Sequence, residues 1–253
     1  MSLPDDPRVR HVLALGDDSL ISAQRMGWWV SRAPELEEDV ALANIGLDQL
    51  GQARMLLGHA GDLEGRGRTE DDLAYWRDER DFTNVCLVER EQTDFGVAIA
   101  RLLLFATWQH ELWTALRGST DPTLAAIAAK AVKEVDYHVD HARLWTLRLG
   151  DGTEESHRRM QAALDAEWGW AAELFDGSHL GSGLVEDGTA VDPATLREPV
   201  LRRVGEVLER ATLSVPETPP AVARGREGRH TEQMGYLLAE MQHLTRSHPG
   251  ATW

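Results

Sequence analysis

Two glutamines, Gln49 and Gln52, lie three positions apart within the apolar stretch IGLDQLGQARMLL, residues 45–57. A glutamate and a histidine at this spacing would share one helix face and form half of a carboxylate-bridged di-iron site. Such a site takes one Glu from each of two helices and a Glu-x-x-His pair from each of two others. Because a neutral amide is a poor ligand for a hard cation, we expect both glutamines to hydrogen-bond inside a helical bundle.

A second apolar helix offers Val135 and His138 at the same spacing. Val135 has no donor atom, and a single histidine on an apolar face is expected to be a hydrogen-bonded core residue. Glu134 precedes His138 by four positions and lies one position away from the apolar seam. A surface zinc site is an open alternative here, formed by His138, His141, Asp136 and Asp140.

Two true Glu-x-x-His strings occur elsewhere, Glu240 with His243 and Glu227 with His230. The second lies in a glycine-rich loop, where helical geometry is not expected. Because a binuclear site needs two such pairs on facing helices, we interpret Glu240 and His243 as a polar face or an interface edge. Nucleophile-elbow, dinucleotide-binding and P-loop motifs do not occur in the sequence.

Helical periodicity recurs along the chain, and no useful run of strand-like alternation is found, which predicts an all-α fold. Aspartate followed by proline marks two helix starts, at Asp121–Pro122 and Asp192–Pro193. Residues 71–88 are ambiguous, and we favour a helix there. The other helices are predicted at about 8–30, 34–57, 94–117, 121–149, 154–175, 192–213 and 231–247.

The helix that follows Asp121 has the clearest apolar seam: Leu124, Ala128, Ala131, Val135, His138, Ala142, Trp145 and Leu149. Four helices of roughly 20 residues joined by short turns are typical of a helix bundle. Each must bury a stripe against the others. We therefore predict a single helical domain, with a bundle core at about residues 8–150 and additional C-terminal helices at about 154–247.

Charge and cysteine content restrict the possible partners of this chain of 253 residues. Its formal net charge of -16 argues against nucleic acid and anionic membranes as partners, and fits a basic protein partner. Cys86 is the only cysteine, so no disulfide can form within the chain. No apolar run suits a signal peptide or a membrane span, and we expect a cytoplasmic protein.

Several longer segments are distinctive: APELEEDVALANIGLDQLGQARMLL, RDERDFTNVCLVE, DPTLAAIAAKAVKEVDYHVDHARLWTLRLGDGT and GREGRHTEQMGYLLAEMQHL. With these segments, and over nearly its whole length, the chain resembles the C-subunit family of bacterial phenylacetyl-CoA epoxygenases. The resemblance implies a ferritin-like four-helix bundle with additional C-terminal helices. It also implies a place in a multicomponent oxygenase of aerobic phenylacetate degradation, whose catalytic A subunit is similar in fold and carries the di-iron centre.

In the A subunit, six residues bind the two irons. The resemblance implies that the equivalent positions of this chain, which we call the degenerate di-iron positions, are Ser19, Gln49, Gln52, Phe105, Val135 and His138. His138 alone keeps a ligand type. The family resemblance thus implies a structural subunit with no catalytic residue and no metal or other cofactor of its own. Its expected partners are the catalytic A subunit and the other subunits of the complex.

Two other functions stay open. The chain could be a metal-dependent oxygenase in its own right, using His138, Glu134, Glu240 and His243. It could instead be a regulatory subunit that binds CoA or substrate, with arginines that meet the CoA phosphates: Arg54, Arg80, Arg224 or Arg229.

Overall fold

Nine α-helices and four short 3₁₀ helices form the regular structure of residues 4–181 and 183–251, the part of the chain that this computed structural model describes. No β-strand occurs in these residues, so the all-α prediction is confirmed. The α-helices are α1 (Pro7–Gly27), α2 (Leu36–Glu64), α3 (Glu70–Tyr75), α4 (Cys86–Glu89), α5 (Phe95–Leu116), α6 (Pro122–Gly150), α7 (Glu154–Trp168), α8 (Arg197–Arg210) and α9 (Glu232–Ser247). The 3₁₀ helices cover Glu79–Asp81, Gly169–Phe175, Pro193–Leu196 and Gly225–Glu227.

The predicted starts of α5 and α6 are confirmed, and side-chain caps explain them. Asp94 accepts a hydrogen bond from the Val97 N–H at 2.9 Å. Asp121 accepts from the N–H groups of Thr123 and Leu124 at 2.9 and 3.0 Å, and Pro122 occupies the first helical position. These caps satisfy N–H groups that have no partner within the helix.

Helix α2 is longer than predicted, because it continues past Gly58 and Gly61 and ends only at Glu64. Gly65, with a φ of 68°, provides the left-handed C-cap. A Cβ atom at Gly61 would lie 2.2 Å from the carbonyl oxygen of Arg68. Gly61 therefore allows the following chain to approach α2 closely and does not stop the helix.

The prediction of a helix over residues 71–88 is wrong for most of that segment, which contains only α3, one 3₁₀ turn and the four-residue α4. Two of its backbone N–H groups bind carboxylates of α1. Thr83 donates to Asp17 at 2.9 Å and Val85 donates to Asp18 at 2.8 Å. These long-range partners replace the bonds that a helix would make.

The remaining helix predictions are confirmed with shifted ends. The first helix ends at Gly27 and not at Val30, and α7 continues to Phe175 as a 3₁₀ helix. The Asp192–Pro193 start opens a 3₁₀ turn that leads into α8, which ends at Arg210. Helix α9 occupies the predicted range.

The described residues pack as two compact units, each built on an antiparallel pair of long helices. The first unit spans residues 4–91, 179–181 and 223–251, with α1 to α4 and α9. The second spans residues 92–178 and 183–222, with α5 to α8. The all-helical content is consistent with a ferritin-like fold. The single domain with a core at residues 8–150 stays a prediction.

Across the described residues, no helix has the length and apolar character that crossing a membrane requires.

Candidate functional site

In the first unit, the packing of α1 on α2 fixes the level of Ser19, Gln49 and Gln52. Gly16 lies against Leu56 and Leu57, and ten residues further along α1, Met26 lies against Gly46. The helices are thus antiparallel, and their register puts Ser19 level with the turn of α2 that carries Gln52. Gln49 lies one turn away.

All three side chains of this set are buried. The two amides take part in noncovalent interactions within the chain. The Ser19 hydroxyl has no hydrogen-bond partner among the described residues. Hydroxyl and amide groups are neutral, so these three side chains offer a cationic metal no charged donor.

In the second unit, Phe105 and Val135 lie level on α5 and α6. Helix α5 ends at Leu116 and α6 begins at Pro122, and at the opposite ends of the two helices the rings of Phe95 and Trp145 meet edge to face with centroids 4.8 Å apart, so the helices are antiparallel. Ten residues further along α5 and ten residues back along α6, Phe105 comes level with Val135. His138 lies one turn from Val135, and all three residues are buried.

The side chains of the alternative zinc site around His138 do not come together. Glu134 forms an ion pair with Lys130 at 2.9 Å on the helix surface. Asp136 and Asp140 are exposed; Asp136 lies 2.9 Å from a ring nitrogen of His110, and Asp140 lies 3.2 Å from the guanidinium of Arg143. His138 is buried, so the surface zinc arrangement predicted as an alternative does not form.

The two Glu-x-x-His strings do not form ligand pairs. Glu240 and His243 are both exposed on α9, as expected for a polar face. Glu227 is exposed at the end of a 3₁₀ turn, whereas the His230 side chain is buried and binds Glu89. Within the described residues, no group of three or more His, Cys, Asp or Glu side chains could hold a metal ion.

A network of buried charges in the first unit was not predicted. Its first pair joins Asp17 of α1 to Arg77, whose Nη1 donates to Asp17 at 3.0 Å and to the Asp81 carbonyl at 3.0 Å. The guanidinium also lies over the Phe82 ring, 4.1 Å from its centroid. Thr83 adds two further donors to Asp17, one from its backbone and one from its hydroxyl. The buried negative charge of Asp17 is therefore balanced by the guanidinium and by these hydrogen-bond donors.

The second pair joins Asp18 to Arg226, two residues far apart in the sequence. The guanidinium binds both carboxylate oxygens, at 2.7 and 3.0 Å, and also donates to the carbonyls of Ala14 and Thr83. Burial raises the pKa of Asp18 from 3.8 to about 6, although Arg226 and the Val85 N–H act in the opposite direction. This pair fixes the loop before α9 on the side of α1.

The third pair joins Glu89 to His230. The ring nitrogens of His230 lie 2.7 Å from Glu89 and 3.0 Å from the Phe82 carbonyl. Both nitrogens face acceptors, so the protonated ring satisfies both contacts. Burial lowers the pKa of His230, but these two acceptors outweigh it and the net pKa lies above 6.5. Asn84 and the Thr231 N–H also bind Glu89.

One signal in the sequence could have revealed part of this network. Asp17 and Asp18 stand within an otherwise apolar stretch of α1, LALGDDSLI, where acidic residues must be buried. Buried acids are almost always paired. Their partners, Arg77 and Arg226, have no local feature that distinguishes them from surface arginines.

The four arginines predicted as possible CoA contacts fall into two classes. Arg54 and Arg224 lie within ion-pair distance of glutamates, Glu70 at 3.4 Å and Glu227 at 3.9 Å. Arg80 and Arg229 are exposed and make no ion pair within the described part of the chain. These last two line the same surface cavity of about 660 Å³ in the first unit.

Comparison with known proteins agrees with the resemblance seen in the sequence. Residues 3–253 match the family model described as phenylacetic acid catabolic protein. The chain is 48% identical over 243 residues to the C subunit of the 1,2-phenylacetyl-CoA epoxidase of Escherichia coli (strain K12). That alignment covers 96% of this chain and 98% of that protein. The chain therefore belongs to the family of phenylacetic acid catabolic proteins.

Proposed function

We propose that this chain is a structural, non-catalytic, cytoplasmic subunit of a multicomponent 1,2-phenylacetyl-CoA epoxidase. Its role is to stabilise the catalytic subunit, which carries the di-iron centre, in aerobic phenylacetate degradation. Near full-length identity of 48% to the C subunit of such an epoxidase supports membership of a complex of this kind. The name of that relative, as a subunit, implies that the chain works with other polypeptides.

The chemistry of the six degenerate positions carries the non-catalytic part of the proposal. They provide one imidazole, two amides, one hydroxyl and two hydrocarbon side chains, and no carboxylate: His138, Gln49, Gln52, Ser19, Val135 and Phe105. Two iron ions need several anionic oxygen ligands for neutralisation. The residues present do not fit a di-iron centre, so we assign this chain no step of the epoxidation.

Rigid support is the physical contribution that remains. A metal site keeps its geometry only when the residues around its ligands are held in place. The first unit of this chain is fixed by three buried ion pairs and the second by a buried apolar seam. A rigid protein of this kind is suited to hold the ligand helices of a similar partner.

Iron analysis and oxygen-dependent turnover test the proposal. The purified chain alone should contain no stoichiometric iron and should not convert phenylacetyl-CoA. Co-expression with the cognate A-type subunit should give a stable complex that holds iron and forms the ring epoxide. A tightly bound binuclear centre in the isolated chain would overturn the proposal.

A His138→Gln variant tests the last ligand-type residue separately. If His138 has only a core role, the reconstituted complex should keep its turnover, within about twofold, once the variant is shown to fold. A loss of turnover of a hundredfold or more, with an unchanged melting temperature, would place His138 in the chemistry. A matched change at a buried amide, Gln52→Leu, should likewise leave turnover in place.

One observation favours a second candidate function, the binding of CoA. Arg80 and Arg229 face the same cavity without an ion-pair partner in the described residues, in a chain of net charge -16. Guanidinium groups bind phosphate well. The cavity is also lined by Glu79 and Glu227, which weaken its attraction for an anion.

Calorimetric titration of the chain with CoA and with pantetheine, which lacks the phosphates, examines this second function. CoA should bind at least tenfold more tightly than pantetheine, and an Arg80→Ala/Arg229→Ala variant should lose that difference. Arg54→Ala, a change at an exposed arginine already paired with Glu70, is the control. Equal binding of both compounds would exclude a phosphate site.

A further inference from the structure

Helix α2 has two apolar faces, and the chain covers only one of them. Its buried face includes Leu42, Ile45 and Leu56. A second set recurs at alternating steps of four and three residues, and we call it the α2 stripe: Leu36, Val40, Ala43, Leu47 and Leu50. This spacing puts the five side chains on one side of the helix.

The α2 stripe is exposed to an extent unusual for large aliphatic residues on one helix face. Leu36, Val40 and Leu47 are 74%, 54% and 64% exposed, and Ala43 and Leu50 are half-buried. From Leu36 to Leu50 the stripe is about 21 Å long at 1.5 Å per residue. Single exposed apolar residues are ordinary, but a continuous apolar helix face indicates an interface.

Two further apolar residues extend this surface at the start of α2. Trp28 and Val30 lie in the segment that joins α1 to α2, and both are exposed. The segment is fixed to the helix, because the Ala33 N–H donates to Asp39 at 3.0 Å. A large aromatic side chain on a fixed backbone is a typical interface anchor.

The charges around the α2 stripe define the chemistry of its partner. Glu35 and Glu37 are exposed beside Leu36, and Asp39 is half-buried. Residues 33–53 contain no lysine or arginine, and the two arginines that flank them are already engaged, Arg32 over the Trp28 ring and Arg54 beside Glu70. A complementary surface therefore has an apolar centre with cationic residues at its edge. A second copy of this chain does not meet this requirement, since each copy has a net charge of -16 and the same acidic edge.

We infer that the α2 stripe is the docking surface for the catalytic subunit, which presents an apolar helix face with a rim of arginine or lysine. The alternating spacing of four and three residues suits packing against another long helix. A stable interface buries about 800 Å² on each partner, so the stripe forms its centre and Trp28 and Val30 extend it. The inference rests on the proposed function, which supplies a partner of this kind.

Association of the full-length chain with its cognate catalytic subunit tests this surface. Leu47→Asp places a charge at the centre of the stripe and should weaken binding roughly a hundredfold, as expected for an interface hot spot. Leu144→Asp is the matched control, because Leu144 is also an exposed helical leucine, at 54%, but lies on α6. Circular dichroism and melting temperature should be unchanged in both variants, since both side chains are exposed.

The possible outcomes separate this inference from the proposed function. Loss of binding with Leu47→Asp, and not with Leu144→Asp, supports the docking surface. Equal binding by wild type and Leu47→Asp, or an equal loss with Leu144→Asp, overturns the docking surface and leaves the proposed function in place. If the wild-type chain does not bind the catalytic subunit, the proposed function itself fails.

Two further measurements examine the identity and charge of the partner. A homodimer of the isolated chain in size-exclusion chromatography, broken by Leu47→Asp, would assign the surface to a second copy and overturn the inference. Glu37→Arg should slow association with the catalytic subunit several-fold at low salt, and the effect should decrease at high salt. An unchanged association rate would contradict the cationic rim.

Discussion

The two units of the molecule are stabilised by different means. In the first unit, the buried pairs Asp17–Arg77, Asp18–Arg226 and Glu89–His230 connect α1 and the segment before α5 to the loop before α9. In the second unit, α5 and α6 pack through a seam of aliphatic and aromatic side chains. Its buried ion pair Arg101–Glu167 adds to that seam. In the first unit buried charges thus hold irregular backbone in place, whereas in the second unit this buried pair joins two regular helices, α5 and α7, that also pack through apolar side chains.

The largest loss of unfolding free energy is expected from Arg226→Met, a change in the first unit. This change leaves Asp18 buried without its cation, and breaking a buried pair in this way costs about 3–5 kcal/mol of unfolding free energy. The loss should be larger at pH 8 than at pH 5, because Asp18 becomes neutral below its pKa of about 6. Urea unfolding followed by circular dichroism measures it, and an equal loss at both pH values would contradict the role of Asp18.

In the second unit, Leu124→Ala should destabilise by about 3 kcal/mol through the cavity that it creates, since Leu124 is fully buried on α6. No charged group is affected, so the loss should be the same at pH 5 and pH 8. The contrast with Arg226→Met is therefore in pH dependence and not in size. A pH-dependent loss in the Leu124 variant would show that the units are not separable in this way.

The wild-type protein should become less stable as the pH rises, with two distinct phases. Both Asp18 and His230 have raised pKa values, so the folded state binds more protons than the unfolded state within each titration window. Stability from Asp18 is lost between pH 3.8 and about 6, and stability from His230 is lost as the pH rises above 6.5.

Unfolding free energies measured in urea at four pH values from 4 to 8 should show this decline. Asp18→Asn should flatten the lower phase and His230→Gln the upper one. Stability that increases from pH 6.5 to 8 in the wild type would mean that His230 does not titrate in the predicted direction.

The smallest loss of unfolding free energy is expected from Arg202→Met on α8. Arg202 is half exposed and lies near Glu198 and Glu206 at 3.6 and 3.5 Å, where solvent screens the attraction. The loss should be below about 1 kcal/mol at any pH. A larger loss would show that burial does not explain why Arg226 contributes more to stability than Arg202.

The same contrast explains how much of the structure the sequence predicts. The second unit follows local rules: Asp94 and Asp121 cap their helices, and the predicted apolar seam of α6 is buried from Leu124 to Ala142, although Trp145 and Leu149 at its end are only half-buried. The prediction fails at residues 71–88, because Thr83 and Val85 bind carboxylates of α1 that are far away in the sequence. Local periodicity contains no information about such partners.

The candidate site was predictable in residue type but not in surroundings. The types at Gln49, Gln52, Val135 and His138 indicate from the sequence alone that carboxylate ligands are missing. Their burial was expected from the apolar residues around them and is confirmed, whereas the helix register that puts Ser19 level with Gln52 required the structure. The exposed apolar face of α2 was also hidden, since one apolar residue in a sequence does not reveal whether it faces the core or solvent.

The ion pair between Asp18 and Arg226 determines the order in which the two units can fold during synthesis. Residues 92–178 and 183–222 follow one another in the chain with only a brief interruption, and this unit can condense while the ribosome is still translating. The first unit cannot be completed until Arg226 and His230 have left the exit tunnel, because Asp18 and Glu89 lack their buried partners before then. We expect the nascent protein to complete its middle first and its two ends together.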